Sequence, residues 1–158
     1  MPAQTAKRRY SGKVRALGYG IILLELATVV VLSLAVFSNA AIAASIGSSL
    51  YTVRGNGFAL QNVTRNGQVE HAFLIPKITN NAYLPVTVSI NAAFLNSQGQ
   101  TIGNPLSESL TIAPGQSQPL VLPTSLGSTS DINGIHVSFE ISSIYGLVGG
   151  GMSATFSK

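Results

Sequence analysis

The sequence predicts a mainly β protein, an antiparallel β-sandwich of about seven strands that is preceded by one long hydrophobic α-helix. Two observations carry this prediction. From Ile21 to Ala44 the 24 residues are almost all apolar, with Glu25 as the single charge, and at about 1.5 Å per residue they cover roughly 36 Å, enough for a bilayer core. After Ala44, short runs of β-forming residues alternate with turn residues, with no helical pattern between them.

The chain divides into three segments: a basic arm or leader (residues 1–20), a transmembrane or filament-core helix (21–46) and a β-sandwich (50–158). Five of the nine basic residues lie in the first fifteen positions, whereas four basic and four acidic residues balance from Ala44 onward. A neutral domain lacks the basic face that nucleic-acid binding requires. The absence of Cys excludes disulfides, zinc-thiolate sites and thiol nucleophiles.

The apolar segment is compatible with two kinds of membrane targeting. As an uncleaved signal anchor, its basic flank places the N-terminus in the cytoplasm and the β-domain outside. As a secretory signal, Ala41-Ile42-Ala43 offers an A-x-A cleavage site, with the mature chain starting at Ala44. In that second case, Ala44–Val53 could serve as an exchanged strand that completes the sheet of a neighbouring copy.

A third interpretation rests on Gly20 and the residues that follow it. Gly20 and then Ile21-Ile22-Leu23-Leu24-Glu25-Leu26 resemble the type IV prepilin pattern, in which a small residue precedes the cut and a Glu is fifth in the mature chain. The resemblance implies a filament subunit whose Glu25 pairs with the terminal amine of a neighbour, offsetting the cost of a buried charge. Two features depart from the pattern: Ile21 replaces the usual Phe or Met, and Arg15 lies five positions before Gly20.

Alternating polarity predicts which strand residues point into the sandwich. In the run Tyr83–Asn96 the predicted inward residues are Val86, Val88, Ile90, Ala92 and Phe94, and in Ile135–Ser143 they are Ile135, Val137, Phe139 and Ile141. The other predicted β-runs are Leu50–Val53, Phe58–Val63, Ala72–Thr79, Thr101–Gly103, Leu106–Ile112, Gln118–Leu122, Leu147-Val148 and Met152–Phe156. Gly149-Gly150-Gly151 is predicted to interrupt the last pair as a bulge or tight turn.

The stretch from Ile78 to Val88, ITNNAYLPVTV, resembles the N-x-x-x-x-P-V-x-V signature of water-stress late-embryogenesis-abundant domains. The later stretches Gly99–Gly103 and Ile112–Ser117 continue the pattern in order. The resemblance covers roughly residues 58–156. It implies a fibronectin-III-like (immunoglobulin-like) sandwich without enzymatic activity, as in archaeal surface proteins that carry an N-terminal helix.

No catalytic, cofactor-binding or metal site is predicted. The two histidines, His71 and His136, lack partners at ligand spacing, since Glu140 lies about 13 Å from His136 along a strand. Asp131, His136 and Ser138 have the residue types of a hydrolase triad but no nucleophile elbow. Asn62-Val63-Thr64 is a sequon, so Asn62 is a candidate glycosylation site.

These features predict a non-enzymatic cell-surface protein, anchored in the lipid bilayer by a single pass. Its N-terminus is expected in the cytoplasm, and its sandwich outside contacts other surface proteins or copies of itself, with no nucleic acid and no cofactor. The first alternative is an extracellular filament subunit, built by helix packing or by strand exchange. The second is a small-ligand binding module.

Overall fold

The computed structural model describes residues 12–126, 128–144 and 146–158, apart from the side chains of Lys13 and Arg65. One helix precedes seven strands, so the predicted fold class is confirmed. The elements are α1 (Gly12–Asn56), β1 (Gln61–Arg65), β2 (Gln68–Thr79), β3 (Val86–Leu95), β4 (Thr101–Ile112), β5 (Ser117–Pro123), β6 (Gly134–Ser143) and β7 (Val148–Ser157).

The strands form two antiparallel sheets, of order β1-β2-β5 and β4-β3-β6-β7. Strand β3 pairs with β6 without interruption from Val86–Ser143 to Leu95–Gly134. All the predicted inward residues of these two strands are buried. They join residues of the other sheet, such as Phe73 and Leu122, in a single core. Alternation therefore predicted the packed face of β3 and of β6 correctly.

The described part of the chain divides into two compact units between Ser33 and Leu34. The described part of the first unit is the N-terminal half of α1, whose side chains are mostly exposed. The second unit contains the sandwich together with the C-terminal half of α1. Three side chains of that half, Ile42, Ile46 and Leu50, belong to the sandwich core. The β-domain therefore includes a helix as part of its hydrophobic core.

The predicted β-run Leu50–Val53 is wrong, because α1 continues to Asn56. The exchanged-strand hypothesis places a strand at Ala44–Val53, and all of these residues also lie in α1. Although Tyr51, Thr52 and Val53 favour strands, Ile42, Ile46, Leu50 and Val53 recur at intervals of four, four and three, which is one face of a helix. Because that face packs on the sandwich core, residues 50–53 are helical and not a strand. The helix ends where Gly57 adopts a φ of +78°, a conformation that glycine accepts readily.

The predicted interruption at Gly149–Gly151 is also wrong, since these glycines lie inside β7 and pair in register with Ser142, Ile141 and Glu140. A Cβ atom on Gly149 would lie 3.2 Å from the carbonyl oxygen of Ile141, and one on Gly151 would lie 3.4 Å from that of Phe139. Close approach to the neighbouring strand therefore explains glycine at Gly149, whereas a Cβ atom on Gly151 would make an ordinary van der Waals contact. Thr101–Gly103 and Leu106–Ile112, predicted as two runs, are likewise one strand, β4.

Candidate functional site

Helix α1 carries the feature with the clearest functional meaning, a run of exposed apolar side chains from Leu17 to Phe37, here called the apolar stretch. Apart from the half-buried Leu34, its large side chains are exposed around the helix, Leu24 by 69% and Val29 by 60%. The helix is long and apolar enough to cross a membrane. About 21 residues cover roughly 32 Å, which matches a hydrocarbon core of about 30 Å. The apolar stretch therefore has the length and surface of a transmembrane segment.

The hydroxyl groups in the apolar stretch are satisfied within the helix. Thr28 Oγ1 donates to the carbonyl of Leu24 at 2.9 Å, and Ser33 Oγ donates to that of Val29 at 2.8 Å. Lipid offers no hydrogen-bond partners, so polar groups at membrane depth must be paired internally. These two hydroxyls therefore add little to the cost of placing the helix in lipid.

Glu25 lies near the middle of the apolar stretch and is exposed. In the apolar run Ile21–Ala44 this carboxylate lies one turn from the N-terminal end. In the structure, burial against the sandwich begins at Ala35, so the exposed apolar segment lies nearer the N-terminus than that run. Glu25 then lies about 12 Å from Leu17 along the helix axis. A charge at that depth is costly unless it finds a partner.

The C-terminal half of α1 contacts an open edge of β2. Strand β1 pairs with β2 only as far as Ala72, so the remainder of β2 lacks a strand neighbour on that side. There the backbone N–H of Thr79 donates to Ser45 Oγ at 2.8 Å, and the hydroxyl of Ser49 donates to the carbonyl of Lys77. Serine side chains of the helix thus satisfy sheet-edge groups that would otherwise need water or another chain.

The same half of α1 also contacts the edge strand of the other sheet. Asn39 Nδ2 donates to the carbonyl of Val148 in β7 at 2.9 Å, and Ser143 Oγ donates to the carbonyl of Ala35 at 3.3 Å. We call this set of contacts, together with those of Ser45 and Ser49, the helix–sandwich seam. Because the seam joins edges of both sheets to α1, the helix closes one side of the sandwich.

Replacement of Ser45 by Ala should test the polar part of the seam. Ser45→Ala leaves the N–H of Thr79 without its acceptor, and we expect a loss of about 1 kcal/mol in the free energy of unfolding. Ser48→Ala is the matched control, because Ser48 is exposed on the same helix and its replacement should change stability by less than about 0.5 kcal/mol. Urea denaturation of both variants measures the difference, and equal stabilities would show that water replaces Ser45 without cost.

The two predicted cleavage sites occupy different parts of α1. Gly20 and Ile21 lie in its exposed N-terminal half, and the helix runs through them without interruption. Ala43 and Ala44 lie in the half packed on the sandwich, directly after the buried Ile42. A cut after Ala43 would therefore remove part of the domain core, whereas a cut after Gly20 would leave the core intact.

Asn62, the predicted glycosylation residue, is exposed on the edge strand β1, opposite His71 of β2. The residue types of a hydrolase triad are not hydrogen-bonded to one another in the described structure. His136 Nδ1 bonds to Thr155 Oγ1 at 2.8 Å, Ser138 Oγ donates to the carbonyl of Asn91 at 3.3 Å, and Asp131 accepts from Ser130. Among the described residues, no three His, Asp or Glu side chains form a cluster suited to a metal ion.

Asn80 is the residue whose role the sequence prediction missed, since it was interpreted only as part of a turn. Its side chain is fully buried and makes three hydrogen bonds. Nδ2 donates to the carbonyls of Leu84 at 2.8 Å and Ile112 at 2.9 Å, and Oδ1 accepts from the N–H of Ala82 at 3.0 Å. It thereby joins the β2–β3 loop to the end of β4. The sequence held one clue to this role, because Asn80 is the first residue of the N-x-x-x-x-P-V-x-V signature.

No protein-family model matches the chain, and no curated protein has significant sequence similarity to it.

Proposed function

We propose that this protein is a non-enzymatic, single-pass membrane protein that presents its β-sandwich outside the cytoplasm for contacts with other surface proteins. One observation carries the proposal: the apolar stretch is exposed along a bilayer-length portion of α1, and the following turns of the same helix belong to the core of the β-domain. An exposed apolar surface of this extent needs a nonpolar environment. A lipid bilayer supplies it at a matching thickness.

Charge supports the proposed orientation. The basic residues of the first fifteen positions precede the apolar stretch, and the remainder of the chain is balanced in charge. Basic flanks are retained on the cytoplasmic side. This places the N-terminus in the cytoplasm and the sandwich on the far side, where Asn62 would be accessible for glycosylation.

The proposal is tested by determining the N-terminal residue and the location of the protein isolated from its own cells. We expect an intact N-terminus, retention in membranes after alkaline carbonate washing, and digestion of the sandwich by protease added to intact cells stripped of their outer layers. Protein recovered from the cytosol with an intact N-terminus would refute the membrane assignment. A start near Ala44 would refute the anchor in favour of a secreted form.

A second candidate function, a subunit of a filament, is favoured by the position of Glu25. The carboxylate lies near the middle of an exposed apolar helix, and a partner from a neighbouring subunit would offset its cost. A cut after Gly20 would supply such a partner, because it places a terminal amine on Ile21 four residues before Glu25. In this function the apolar stretches of many copies pack against one another and the sandwiches lie outside.

Replacement of Glu25 by Leu separates the two functions. For an anchor, we expect Glu25→Leu to remain in the membrane at an unchanged or higher level, because it removes a charge that costs on the order of 3 kcal/mol at a helix centre. Thr28→Leu, one turn away, is the matched control. Membrane fractionation and electron microscopy of the cell surface are the measurements. If the parent protein and Thr28→Leu form filaments and Glu25→Leu does not, the anchor function is refuted and the protein is a filament subunit.

A further inference from the structure

Exposed apolar side chains gather at one end of the sandwich, on the β2–β3 loop and the β6–β7 turn. Tyr83 is 72% exposed and Leu147 is 77% exposed. Between the loops lies an open groove of about 660 Å³, whose lining includes Leu84, Pro85 and Ile144. We call Tyr83, Leu84, Pro85, Ile144 and Leu147 the apolar loop end.

The apolar loop end lies at the end of the domain where α1 begins to pack on the sandwich. The two residues that flank the β6–β7 turn, Ser143 and Val148, are hydrogen-bonded to Ala35 and Asn39 of α1. Further along α1, Leu50 lines a groove with Thr155 and Phe156, toward the opposite end of β7. The apolar loop end is therefore level with the turn of α1 at which the apolar stretch ends.

The segments that form this end contain no charged residue. None occurs in residues 80–88, 112–118 or 141–152. The opposite end of the sandwich carries charges, including Asp131 and the C-terminal Lys158. An uncharged surface with an exposed Tyr and aliphatic side chains suits the boundary between lipid headgroups and acyl chains, where Tyr is enriched.

The β2–β3 loop is held in a defined conformation. The side chain of Asn80 bonds to Ala82, Leu84 and Ile112. On the other side of the groove, Ile144 adopts a φ of +52°, which is uncommon for a β-branched residue. The apolar side chains of the β2–β3 loop are thus presented by a hydrogen-bonded backbone.

We propose that the apolar loop end contacts the headgroup–acyl boundary of the same bilayer that α1 crosses. The inference rests on the proposed membrane function, since it takes the end of the apolar stretch as the level of the bilayer surface. In this contact, Tyr83 and Leu147 bury their exposed area in the boundary layer. The contact gives the domain a second attachment to the membrane beside the helix.

The test uses the full chain in phosphatidylcholine nanodiscs with one copy per disc. The protein has no Cys, so single labelling sites are available as Tyr83→Cys and Leu147→Cys. Gln98→Cys, an exposed position on the loop at the opposite end of β3, is the matched control, and Val30→Cys reports on the apolar stretch. Each variant carries an environment-sensitive fluorophore, and lipids with a nitroxide near the headgroup or deep in the acyl chain act as quenchers.

We expect labels at 83 and 147 to be quenched by the headgroup nitroxide about threefold more than the label at 98, because an interfacial site lies within 5–10 Å of that layer. The label at 30 should respond to the deep nitroxide. If the label at 30 responds to the deep nitroxide but the labels at 83 and 147 are quenched no more than the label at 98, the loop contact is refuted. The proposed membrane function then stands. If 30 does not respond either, both proposals fail. If the labels at 83 and 147 become buried only when a disc holds several copies of the protein, the lipid contact is refuted. The apolar loop end would then bind a second copy of the chain.

Discussion

A fragment that starts at Ala44 is expected to be largely unfolded, whereas a fragment that starts at Leu34 is expected to fold as a sandwich. The reason is the packing of α1 residues 34–43 on the sandwich. Residues 34–158 form one compact unit, and a start at Ala44 removes the buried Ala35, Ser38 and Ile42 from it. The same start removes the hydrogen bonds of Asn39 to Val148 and of Ser143 to Ala35.

The expected loss is comparable with the stability of a domain of this size. Removal of one fully buried Ile side chain costs about 2–5 kcal/mol, and two lost hydrogen bonds add about 1 kcal/mol each. The total of roughly 5 kcal/mol lies at the lower limit of the free energies that keep domains folded, about 5–15 kcal/mol. The truncated fragment also leaves the start of the edge strand β7 without its contact to Asn39, and an uncovered strand edge favours aggregation.

Circular dichroism and urea denaturation of the two fragments measure this difference. Ile42→Ala in the longer fragment is the intermediate case, with an expected loss of about 3 kcal/mol but a folded sandwich at low temperature. Val36→Ala is its control, since Val36 is 58% exposed on the same helix. A cooperative transition of equal midpoint in the fragment from Ala44 would show that residues 34–43 contribute little to stability. Secretory cleavage after Ala43 would then be compatible with a folded domain.

The sequence predicted the sandwich well where one physical rule acts alone. In β3 and β6, Val86 to Phe94 and Ile135 to Ile141 alternate because one side of each strand is buried, and period-two burial is visible in the chain. The sequence-based prediction failed where strand propensity and helical periodicity favour different structures. Tyr51-Thr52-Val53 has strand propensity, yet it continues a helical face that only the folded sandwich buries. The glycines of β7 are turn-formers by type, but they lie inside a paired strand, and at Gly149 the neighbouring backbone leaves little room for a side chain.

The candidate site was predicted in part for a similar reason. The apolar character of the N-terminal helix is a local property, so its capacity to cross a membrane was foreseen. The position of Glu25 within the exposed segment was not, because it depends on where the sandwich begins to cover α1, at Ala35. The apolar loop end was also not foreseen, since it joins loops that are about 60 residues apart in sequence and depends on the strand order of the sheet.

Asn80→Ala is expected to be among the most destabilising single substitutions in the described part of the domain. It removes the donor to the buried carbonyls of Leu84 and Ile112 and the acceptor for the N–H of Ala82. Each buried group left without a partner costs about 1–3 kcal/mol, so we expect a total near 4 kcal/mol. In a domain of this size the corresponding fall in Tm is roughly 10–15 °C.

Two further variants separate the hydrogen bonds from the space that the side chain fills. Asn80→Asp has nearly the same shape, but its carboxylate oxygen would face two carbonyl oxygens, so we expect a loss at least as large as that of Asn80→Ala. Asn81→Ala is the matched control, since Asn81 is the next residue and is exposed, and it should change stability by less than about 0.5 kcal/mol. Urea denaturation of the fragment from Leu34 provides the measurement.

The three stabilities together identify what Asn80 does. If Asn80→Ala is severe and Asn80→Asp is equally severe, the amide acts through its donors, which join the β2–β3 loop to β4. If Asn80→Asp is mild, water or protonation satisfies the carbonyls and the side chain acts mainly by filling space. The first result would also connect Asn80 to the apolar loop end: the loop that carries Tyr83 and Leu84 is fixed by the amide, so loss of its donors should weaken the lipid contact before the sandwich itself unfolds.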